Sequence, residues 1–509
     1  MRARAASSPS RPADEAVTPT PPSEAAGGRR AAEGAGGASD GRSGQGARER
    51  YRRLPTGAHG LAREEVERDQ RERLQRAMTE LIAARGYQAV RILDLTKLAH
   101  VSRPTFYELY ADKEELLLSA YNDIAARTAQ TVLKAFGTGG DLEKRLRASM
   151  RAFAKLAASE PQSMSLFLMG AFGAGPKALA RRKETVAALE HAIQARRDGT
   201  LEPNPSDLTV KIQLGGIREV AVSRLHRERT GELEEIADEL ISWIACYPPQ
   251  LLPELLAPSP QGPPDEDLNL TSERARKARG RLPSGRHDLS REVVVNSQRE
   301  RIIDATAEVV AEKGLAGLTI PEIASRASVS HETFYEMYET KFAAFLAAQK
   351  VGMHQALGRG VQAWEAQMPD WPRAIAAGIR GVIEFLVAEP AHAHLTIVDA
   401  FGASPETIAI RDELLHAFAG YFDPGYDYAP PPGHVVPAIA GEAVVGGCWQ
   451  VIHHYIDSNR IAELPAALPQ LTYMLLTPFL GAKEAAKVAL AAGAEDGADL
   501  AHTAEQVGA

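Results

Sequence analysis

Helical periodicity dominates the apolar pattern of this chain. Between residues 74 and 82 the apolar side chains recur at i, i+3, i+4, i+7 and i+8, a spacing that places them on one face of a helix. They are Leu74, Ala77, Met78, Leu81 and Ile82. A similar stripe returns at 302–310, and the segments 114–256 and 342–482 continue with helical periodicity and without strand signals. The pattern predicts an all-α protein.

Each stripe ends near a glycine and is followed by two short predicted helices. Gly86 and Gly314 stand where a left-handed helix C-cap is expected. The short helices are predicted over 92–98 and 102–110 in the first segment, and over 320–326 and 330–338 in the second. Thr319 and Glu322 are expected to form a capping box at the third of these helices. Two short helices behind a longer one are the helix-turn-helix pattern, whose second helix enters the major groove of DNA.

The chain contains the same unit twice. Residues 53–113 align without a gap onto residues 281–341 at an offset of 228, with about 26 identical positions. A weaker match continues at Glu160-Pro161 and Glu389-Pro390, where the offset is 229. The repeat therefore spans a whole protein of roughly 200 residues, so the expected fold is two fused copies of a helix-turn-helix head and a helical-bundle regulatory domain.

The repeat and the composition of the remaining segments predict the domain boundaries. The segments 1–47, 257–280 and 484–509 lie outside the repeat, and we expect the first to be disordered and the last to fray. The boundaries are 1–47 for the tail, 48–67 for a basic arm and lead-in, 68–128 for the first head, 129–256 for the first regulatory and dimerisation domain, 257–295 for a Pro-rich linker and basic arm, 296–356 for the second head, 357–482 for the second regulatory and dimerisation domain, and 483–509 for an Ala-rich acidic tail.

The second short helix of each head separates into a core side and a DNA side. Val101, Phe106 and Tyr110 are predicted to be core, as are their counterparts Val329, Phe334 and Tyr338. The positions left for DNA are Ser102, Arg103, Thr105 and Tyr107 in the first head, and Ser330, His331, Thr333 and Tyr335 in the second.

Residues 99–113 and 327–341 resemble the recognition segment of the TetR/AcrR family. The resemblance is specific over about 60 residues in each copy and diffuse over the remaining helices. It implies a regulator of transcription that binds double-stranded DNA, requires no cofactor, responds to an unknown small-molecule effector, and more often represses than activates. It also implies that Thr105, Tyr107 and Lys113 contact phosphates or bases, as would Thr333, Tyr335 and Lys341.

Several positions depart from the family pattern. His100 and Ser328 replace the turn glycine, and Arg91 replaces the threonine that opens the first short helix. Residues 91–113 carry a net charge of +1, whereas residues 319–341 carry −2 because Arg326 and Lys341 face four glutamates. An acidic recognition helix is repelled by phosphates. The alternative is therefore a helical ligand- or partner-binding protein in which the second head, or both heads, no longer bind DNA.

Basic arms precede both heads. Arg50, Arg52 and Arg53 precede the first head, and Arg279 and Arg281 precede the second. Flexible arginines beside a helix-turn-helix can enter the minor groove. A solvated charge run that keeps a linker extended is the alternative interpretation.

The regulatory regions give fewer signals. Phe167, Phe172, Phe401 and Trp449 are candidates to line an effector cavity, although aromatic residues at helical spacing more often form plain core. The histidines at 392, 394, 453 and 454 lack carboxylate partners at ligand spacing, so no metal site is expected. No nucleophile–base pair or phosphate loop stands out, so we expect no enzyme activity.

Family resemblance also implies pairing through the last two helices of each unit. The matching segments are 210–229 with 233–246, and 435–457 with 461–479. We expect the two copies to pair within one chain, with further homodimerisation left open. The imperfect match of Arg103-Pro104 to His331-Glu332 then predicts an operator with unequal half-sites.

Composition narrows the function class and the compartment. A net charge of −8 gives no global attraction for nucleic acid, so any DNA-binding surface must be local. Two cysteines cannot build a disulfide framework, and no apolar run reaches the length of a membrane helix. We therefore expect a cytoplasmic protein without a membrane partner, associated with the nucleoid when it is bound to DNA.

Overall fold

The computed structural model describes residues 62–137, 141–170, 176–198, 204, 206–248, 250–258, 265, 270–271, 290–400, 404–428 and 433–507. These residues form helices joined by turns and contain no strand. The predicted all-α class is thereby confirmed. The tail expected at 1–47 lies outside the described residues.

The first copy begins with a three-helix head and continues into a helical body. The head consists of α1 (Arg63–Ala89), α2 (Ile92–Ala99) and α3 (Arg103–Leu109). The body contains α4 (Lys113–Phe136), α5 (Leu142–Ser159), α6 (Pro161–Ser165) with a π-helical turn at Leu166–Gly170, α7 (Pro176–Asp198), α8 (Thr209–His226) and α9 (Glu232–Ala245).

The second copy repeats this order and adds helices at its end. Its head consists of α10 (Arg291–Gly317), α11 (Ile320–Ala327) and α12 (His331–Met337). Its body contains α13 (Lys341–Gln367), α14 (Trp371–Ala388), α15 (Pro390–His394) with a π-helical turn at Leu395–Asp399, α16 (Pro405–Ala419), α17 (Asp423–Asp427), α18 (Ala440–Asp457), α19 (Leu468–Leu480) and α20 (Ala482–Val507).

The ends of two segments that lie outside the repeat pack on α19. The Ala-rich segment from 483 does not begin as a frayed tail, because α20 packs on α19 and buries Ala485 and Ala489 completely. The start of the expected linker is also packed, since the Ala257 amide donates a hydrogen bond of 3.3 Å to Oε1 of Gln470. Small alanine side chains allow the close helix contact that composition alone did not predict.

The two bodies share one apolar core. Trp243 of the first copy and Trp371 of the second are both almost completely buried in it. Burial of this kind is the main favourable contribution to folding. The second head has its own smaller core around Phe334 and Phe345, both fully buried.

The contact between the copies runs mainly along α8 and α18. A Cβ atom added at Gly216 would lie 2.5 Å from the Ala443 carbonyl oxygen, and one at Gly447 would lie 2.7 Å from that of Ile212. Only glycine permits backbones to approach this closely. After α9, the Tyr247 hydroxyl donates a hydrogen bond of 2.9 Å to the Met474 carbonyl in α19.

Ion pairs flank the glycine contact. Arg224 pairs with Glu442 at 2.6 Å, and Arg227 pairs with Asp412 at 2.7 Å. Glu219 and Arg411 form a third pair that is buried on both sides. The Arg224–Glu442 pair joins α8 to α18, and the other two pairs join α8 and its C-cap residue to α16. Removing one partner of such a buried pair leaves a charge without compensation, so these pairs favour one position of α8 against both helices.

Candidate nucleic-acid interface

A glycine breaks the long first helix of each head. Gly86 has φ 73° and ψ 158°, and Gly314 has φ 67° and ψ 172°. The positive φ expected from the sequence is confirmed at both positions. The prediction of a left-handed helical cap is wrong, because ψ of both glycines lies in the extended range. This conformation turns the chain sharply into the next helix, and a glycine adopts it without steric cost.

The tight turn between the two short helices has no glycine and still adopts a left-handed conformation. His100 has φ 52° and ψ 44°, and Ser328 has φ 53° and ψ 46°. The amide of the following residue closes the turn, since the Val101 amide donates to the Thr96 carbonyl at 3.0 Å. The Val329 amide donates to the Ala324 carbonyl at 3.0 Å in the same way. Non-glycine residues pay about 1–2 kcal/mol in this region.

An arginine holds this turn in both heads, a role that the sequence argument did not assign. Nη1 of Arg73 donates to the Ala99 carbonyl at 2.7 Å, and Nη1 of Arg301 donates to the Ala327 carbonyl at 3.0 Å. Each arginine thus satisfies a carbonyl at the end of a helix and fixes the turn against the supporting helix. The signal that could have identified them is the identical Gln-Arg-Glu-Arg segment in both copies.

The recognition helix α3 begins with a side-chain cap and exposes a basic and aromatic face. Oγ of Ser102 accepts a hydrogen bond of 3.2 Å from the Thr105 amide. Arg103 and Tyr107 are exposed, with the guanidinium 5.8 Å from the ring centroid. Thr105 is half-buried beside them. These four predicted positions therefore lie together on the solvent side of α3.

The opposite side of α3 is core. Val101, Phe106 and Tyr110 are all buried, as predicted. In the second head Phe334 is fully buried, whereas Val329 and Tyr338 are half-buried. The α12 helix is therefore seated less deeply on its head than α3.

The recognition helix α12 has the same backbone as α3 but a net negative charge, whereas the one arginine and one glutamate of α3 cancel. Oγ of Ser330 accepts a hydrogen bond of 3.0 Å from the Thr333 amide. His331 and Tyr335 are exposed like their counterparts, and Thr333 is half-buried. Glu332 and Glu336 are exposed on the same short helix, where the first head has Pro104 and Glu108. The two heads thus present equivalent surfaces of unequal charge.

The entrance to the second head differs from the predicted capping box. Oγ1 of Thr319 accepts from the Glu322 amide at 3.4 Å, which is one half of the box. The Glu322 carboxylate pairs with Lys313 and does not return to the cap. A nearby pair joins Arg326 to Glu312 with two hydrogen bonds of 2.6 Å. Because Lys313 and Glu312 carry opposite charges, these two pairs leave the net negative charge of the second head unchanged.

The two predicted lysines point back into their heads. Nζ of Lys113 donates to the Tyr87 carbonyl at 3.3 Å and the Val90 carbonyl at 3.2 Å, and lies 4.2 Å from the Tyr87 ring centroid. Partial burial lowers the pKa of Lys113. Nζ of Lys341 donates to the Leu318 carbonyl at 2.6 Å. Each lysine therefore joins the first helix of its body to the end of the first helix of its head.

The basic arms are not described by the structure. Arg50, Arg52, Arg53, Arg279 and Arg281 lie outside the described residues, as do Phe172 and Phe401 of the predicted effector cavity. Phe167 packs in the first body with its ring centroid 5.6 Å from that of Tyr121. Trp449 is the predicted residue that does line a cavity.

An apolar cavity of about 110 Å³ lies inside the second body. Trp364, Trp449 and Phe422 contribute aromatic walls, and Thr396 and Ile397 of the π-helical turn line it as well. The Cys448 thiol also lines it, and burial raises the pKa of this thiol to about 12. The thiol is therefore protonated near neutral pH, and the cavity suits an apolar group.

The described residues contain neither a metal-binding cluster nor a membrane-spanning helix. Among the residues that the structure describes, no group of three or more His, Cys, Asp or Glu side chains is arranged to hold a metal ion. Within the same part of the chain, no helix combines the length and hydrophobicity that a bilayer crossing requires.

A family model matches the segments that form the two heads. The family model described as "Bacterial regulatory proteins, tetR family" matches twice, at residues 76–120 and 302–348. The "HTH-type transcriptional activator FasR" of Mycolicibacterium smegmatis (strain ATCC 700084 / mc(2)155) is 27% identical over 158 residues, which cover 31% of this chain and 72% of that relative. A crystal structure of a TetR family transcription regulator from Marinobacter aquaeolei VT8 aligns with 35% of this chain and 97% of its own, at 22% identity and a TM-score of 0.29.

Proposed function

We propose that this chain, which is a tandem TetR-family transcription regulator, acts as an intramolecular pseudo-dimer that places two unlike heads on one operator. The observation that carries the proposal is the close packing of α8 on α18, where Gly216 and Gly447 allow backbone contact. In a two-fold dimer the equivalent contact joins two chains. Here one chain supplies both sides, so no second chain is required to bring two heads together.

The heads contribute unequally to DNA binding in this proposal. Ser102, Arg103, Thr105 and Tyr107 contact one half-site, and Arg103 provides a positive charge at the groove. Ser330, His331, Thr333 and Tyr335 contact the other half-site more weakly, because Glu332 and Glu336 are exposed on the same short helix. The arginine arms at 50–53 and 279–281 add minor-groove contacts. Lys113 and Lys341 support the heads and reach DNA only by leaving their carbonyl partners.

The second body is proposed as the effector domain. Its cavity is lined almost entirely by apolar side chains, which favours a small apolar effector. Trp449 and Cys448 lie on α18, the helix that also packs against the first copy. An effector that fits only one arrangement of α18 would stabilise the head spacing that goes with that arrangement. The size of the shift is set by the difference between the effector's affinities for the two arrangements.

We propose repression as the output, since an obstacle on an operator requires no further contact. The name of the M. smegmatis relative describes an activator. The test must therefore also distinguish repression from activation. Expression of a reporter driven by the bound promoter rises when the gene of a repressor is deleted and falls when the gene of an activator is deleted. The protein is proposed to be non-enzymatic and cytoplasmic.

The central experiment selects fragmented genomic DNA on the full-length protein at near-physiological salt and footprints the best fragment. The expected result is protection of two unequal half-sites by one chain. Arg103→Ala should then weaken binding by about 1–3 kcal/mol and remove protection mainly at one half-site. Arg68→Ala, which removes an exposed charge of the same sign from α1, is the matched control.

Other outcomes would contradict the proposal in different ways. Two equal half-sites, both lost in Arg103→Ala, would mean that two chains pair and only the first head reads DNA. Absence of enrichment with a shallow salt dependence would favour a helical binding protein whose heads no longer contact DNA.

A further inference from the structure

A buried hydrogen bond joins the second body to its head. Nε2 of His392 in α15 lies 2.9 Å from Oδ1 of Asp304 in α10. Both residues are at least 97% buried, at 2% and 3% exposure. Polar groups are buried at this depth only when their pairing compensates the loss of water, so the pair fixes α15 against α10 in one relative position.

The body side of this pair is continuous with the cavity. Oγ1 of Thr396 donates to the His392 carbonyl at 2.7 Å, and Thr396 and Ile397 line the cavity. Both belong to the π-helical turn Leu395–Asp399, which directly follows α15. Single π turns inside helices are often found at functional sites. A group that enters the cavity therefore contacts the turn that positions His392.

The head side of the pair is continuous with the helix-turn-helix. Asp304 lies three residues after Arg301 on α10, which is about one helical turn. Arg301 donates to the carbonyls of Ala327 and Ser328, the residues of the turn that precedes α12. A shift of α10 at Asp304 therefore moves the residue that holds the turn before the recognition helix.

The first copy lacks this connection. The repeat places Arg76 at the position of Asp304 and Ser163 at the position of His392. At the π-helical turn of the first body, a Cβ atom added at Gly170 would lie 3.8 Å from Cγ2 of Ile82 in the first head. The His–Asp pair is thus specific to the copy that has the cavity and the acidic recognition helix.

We infer that His392 and Asp304 are positioning residues that transmit occupancy of the second body's cavity to the second head and not to the first. The inference deepens the effector response proposed above and rests on that proposal for the role of the cavity. The transmission from α15 through α10 to the turn before α12 depends only on the His392–Asp304 hydrogen bond and the Arg301 hydrogen bonds. A contact of this kind couples two sites when both bias the same two-state element.

The test fills the cavity from within, so it requires no effector and no DNA. Ala356 lines the cavity, and Ala356→Leu adds three carbon atoms to it. Amide hydrogen exchange of the full-length protein is measured over residues 320–338 and 92–110. We expect exchange at 320–338 to change about fivefold or more and exchange at 92–110 to stay the same. Ile397→Ala, which enlarges the cavity at the π turn, is the second perturbation if Ala356→Leu fails to fold.

The same perturbation is repeated in two backgrounds. In Asp304→Ala with His392→Ala, both partners are absent, and cavity filling should no longer alter exchange at 320–338. In His392→Gln, the amide preserves a donor, and the response should return. An equal response in all backgrounds, or no response in the parent protein, would overturn the inference. Because DNA is absent, these outcomes are independent of whether the footprinting experiment succeeds.

Discussion

Gly215 in α8 and Gly446 in α18 lie back to back, so that a Cβ atom on Gly446 would stand 3.3 Å from the Gly215 carbonyl oxygen and 2.2 Å from Cβ of Glu219. The two glycines come from different copies of the repeat. Their contact brings the buried Glu219–Arg411 pair into the same interface. Close backbone packing and a buried ion pair thus meet at one point.

Gly446→Ala tests how much stability this contact provides. The added methyl group must displace α8 or Glu219, so the free energy of unfolding should fall by about 1–3 kcal/mol in denaturant titration. Gly358→Ala is the control, because Gly358 is helical and nothing lies within 4 Å of its added Cβ. That variant should gain about 0.5–1 kcal/mol from helix propensity. Equal effects at the two positions would contradict the close contact.

The turns of both heads should be stabilised by the glycine that they lack. His100 and Ser328 occupy left-handed conformations at φ 52° and 53°. Replacement of either by Gly removes the steric cost but adds entropy to the unfolded chain, for a net gain of about 0.5–1 kcal/mol. Thermal unfolding of each variant measures the gain. His100→Ala separates loss of the imidazole from relief of the backbone, since alanine keeps the Cβ atom and should give no comparable gain.

Removal of negative charge from α12 should strengthen DNA binding. Glu332→Gln combined with Glu336→Gln keeps the size of two exposed side chains and removes two charges that are repelled by phosphates. We expect about a tenfold gain in affinity at low salt and a smaller gain at high salt. Glu339→Gln, which changes a charge just after α12, is the control for net charge. A uniform gain in all variants would indicate that net charge alone matters.

Stability should fall below neutral pH because of a buried histidine. Burial, reinforced by Arg182 and Arg218, holds the pKa of His453 well below 6.5. The folded state keeps this imidazole neutral, while the unfolded chain binds a proton as pH falls through 6.5. The stability that comes from burying a neutral imidazole is thus fully present above pH 6.5. Below pH 6.5 the free energy of unfolding falls by up to about 1.4 kcal/mol per pH unit.

His453→Gln should reduce the pH dependence of the free energy of unfolding in denaturant titrations between pH 7 and pH 5. His454, whose pKa burial lowers to about 4, should account for slope that remains. His416→Gln replaces an exposed histidine of the same domain and should leave the slope unchanged. A parent protein whose stability is independent of pH over this range would contradict the burial of a neutral imidazole at His453.

The sequence by itself determined the duplication, the helical class and the composition of each recognition helix. These properties depend on local periodicity and on residue identity, so Phe106 and Tyr107 could be assigned to opposite sides of α3 from their spacing alone. The difference in charge between α3 and α12 also follows from residue identity alone.

Only the tertiary structure decided which distant groups meet. The sequence assigned no partner to Arg73 or Arg301, yet each reaches the carbonyls of a turn more than 20 residues away. His392 lacked a carboxylate at ligand spacing in sequence, and its partner Asp304 is 88 residues distant. The sequence also did not show that Lys113 and Lys341 point into their heads, or that α20 packs on α19. Pairing of this kind depends on how helices cross, which the pattern along one helix does not encode.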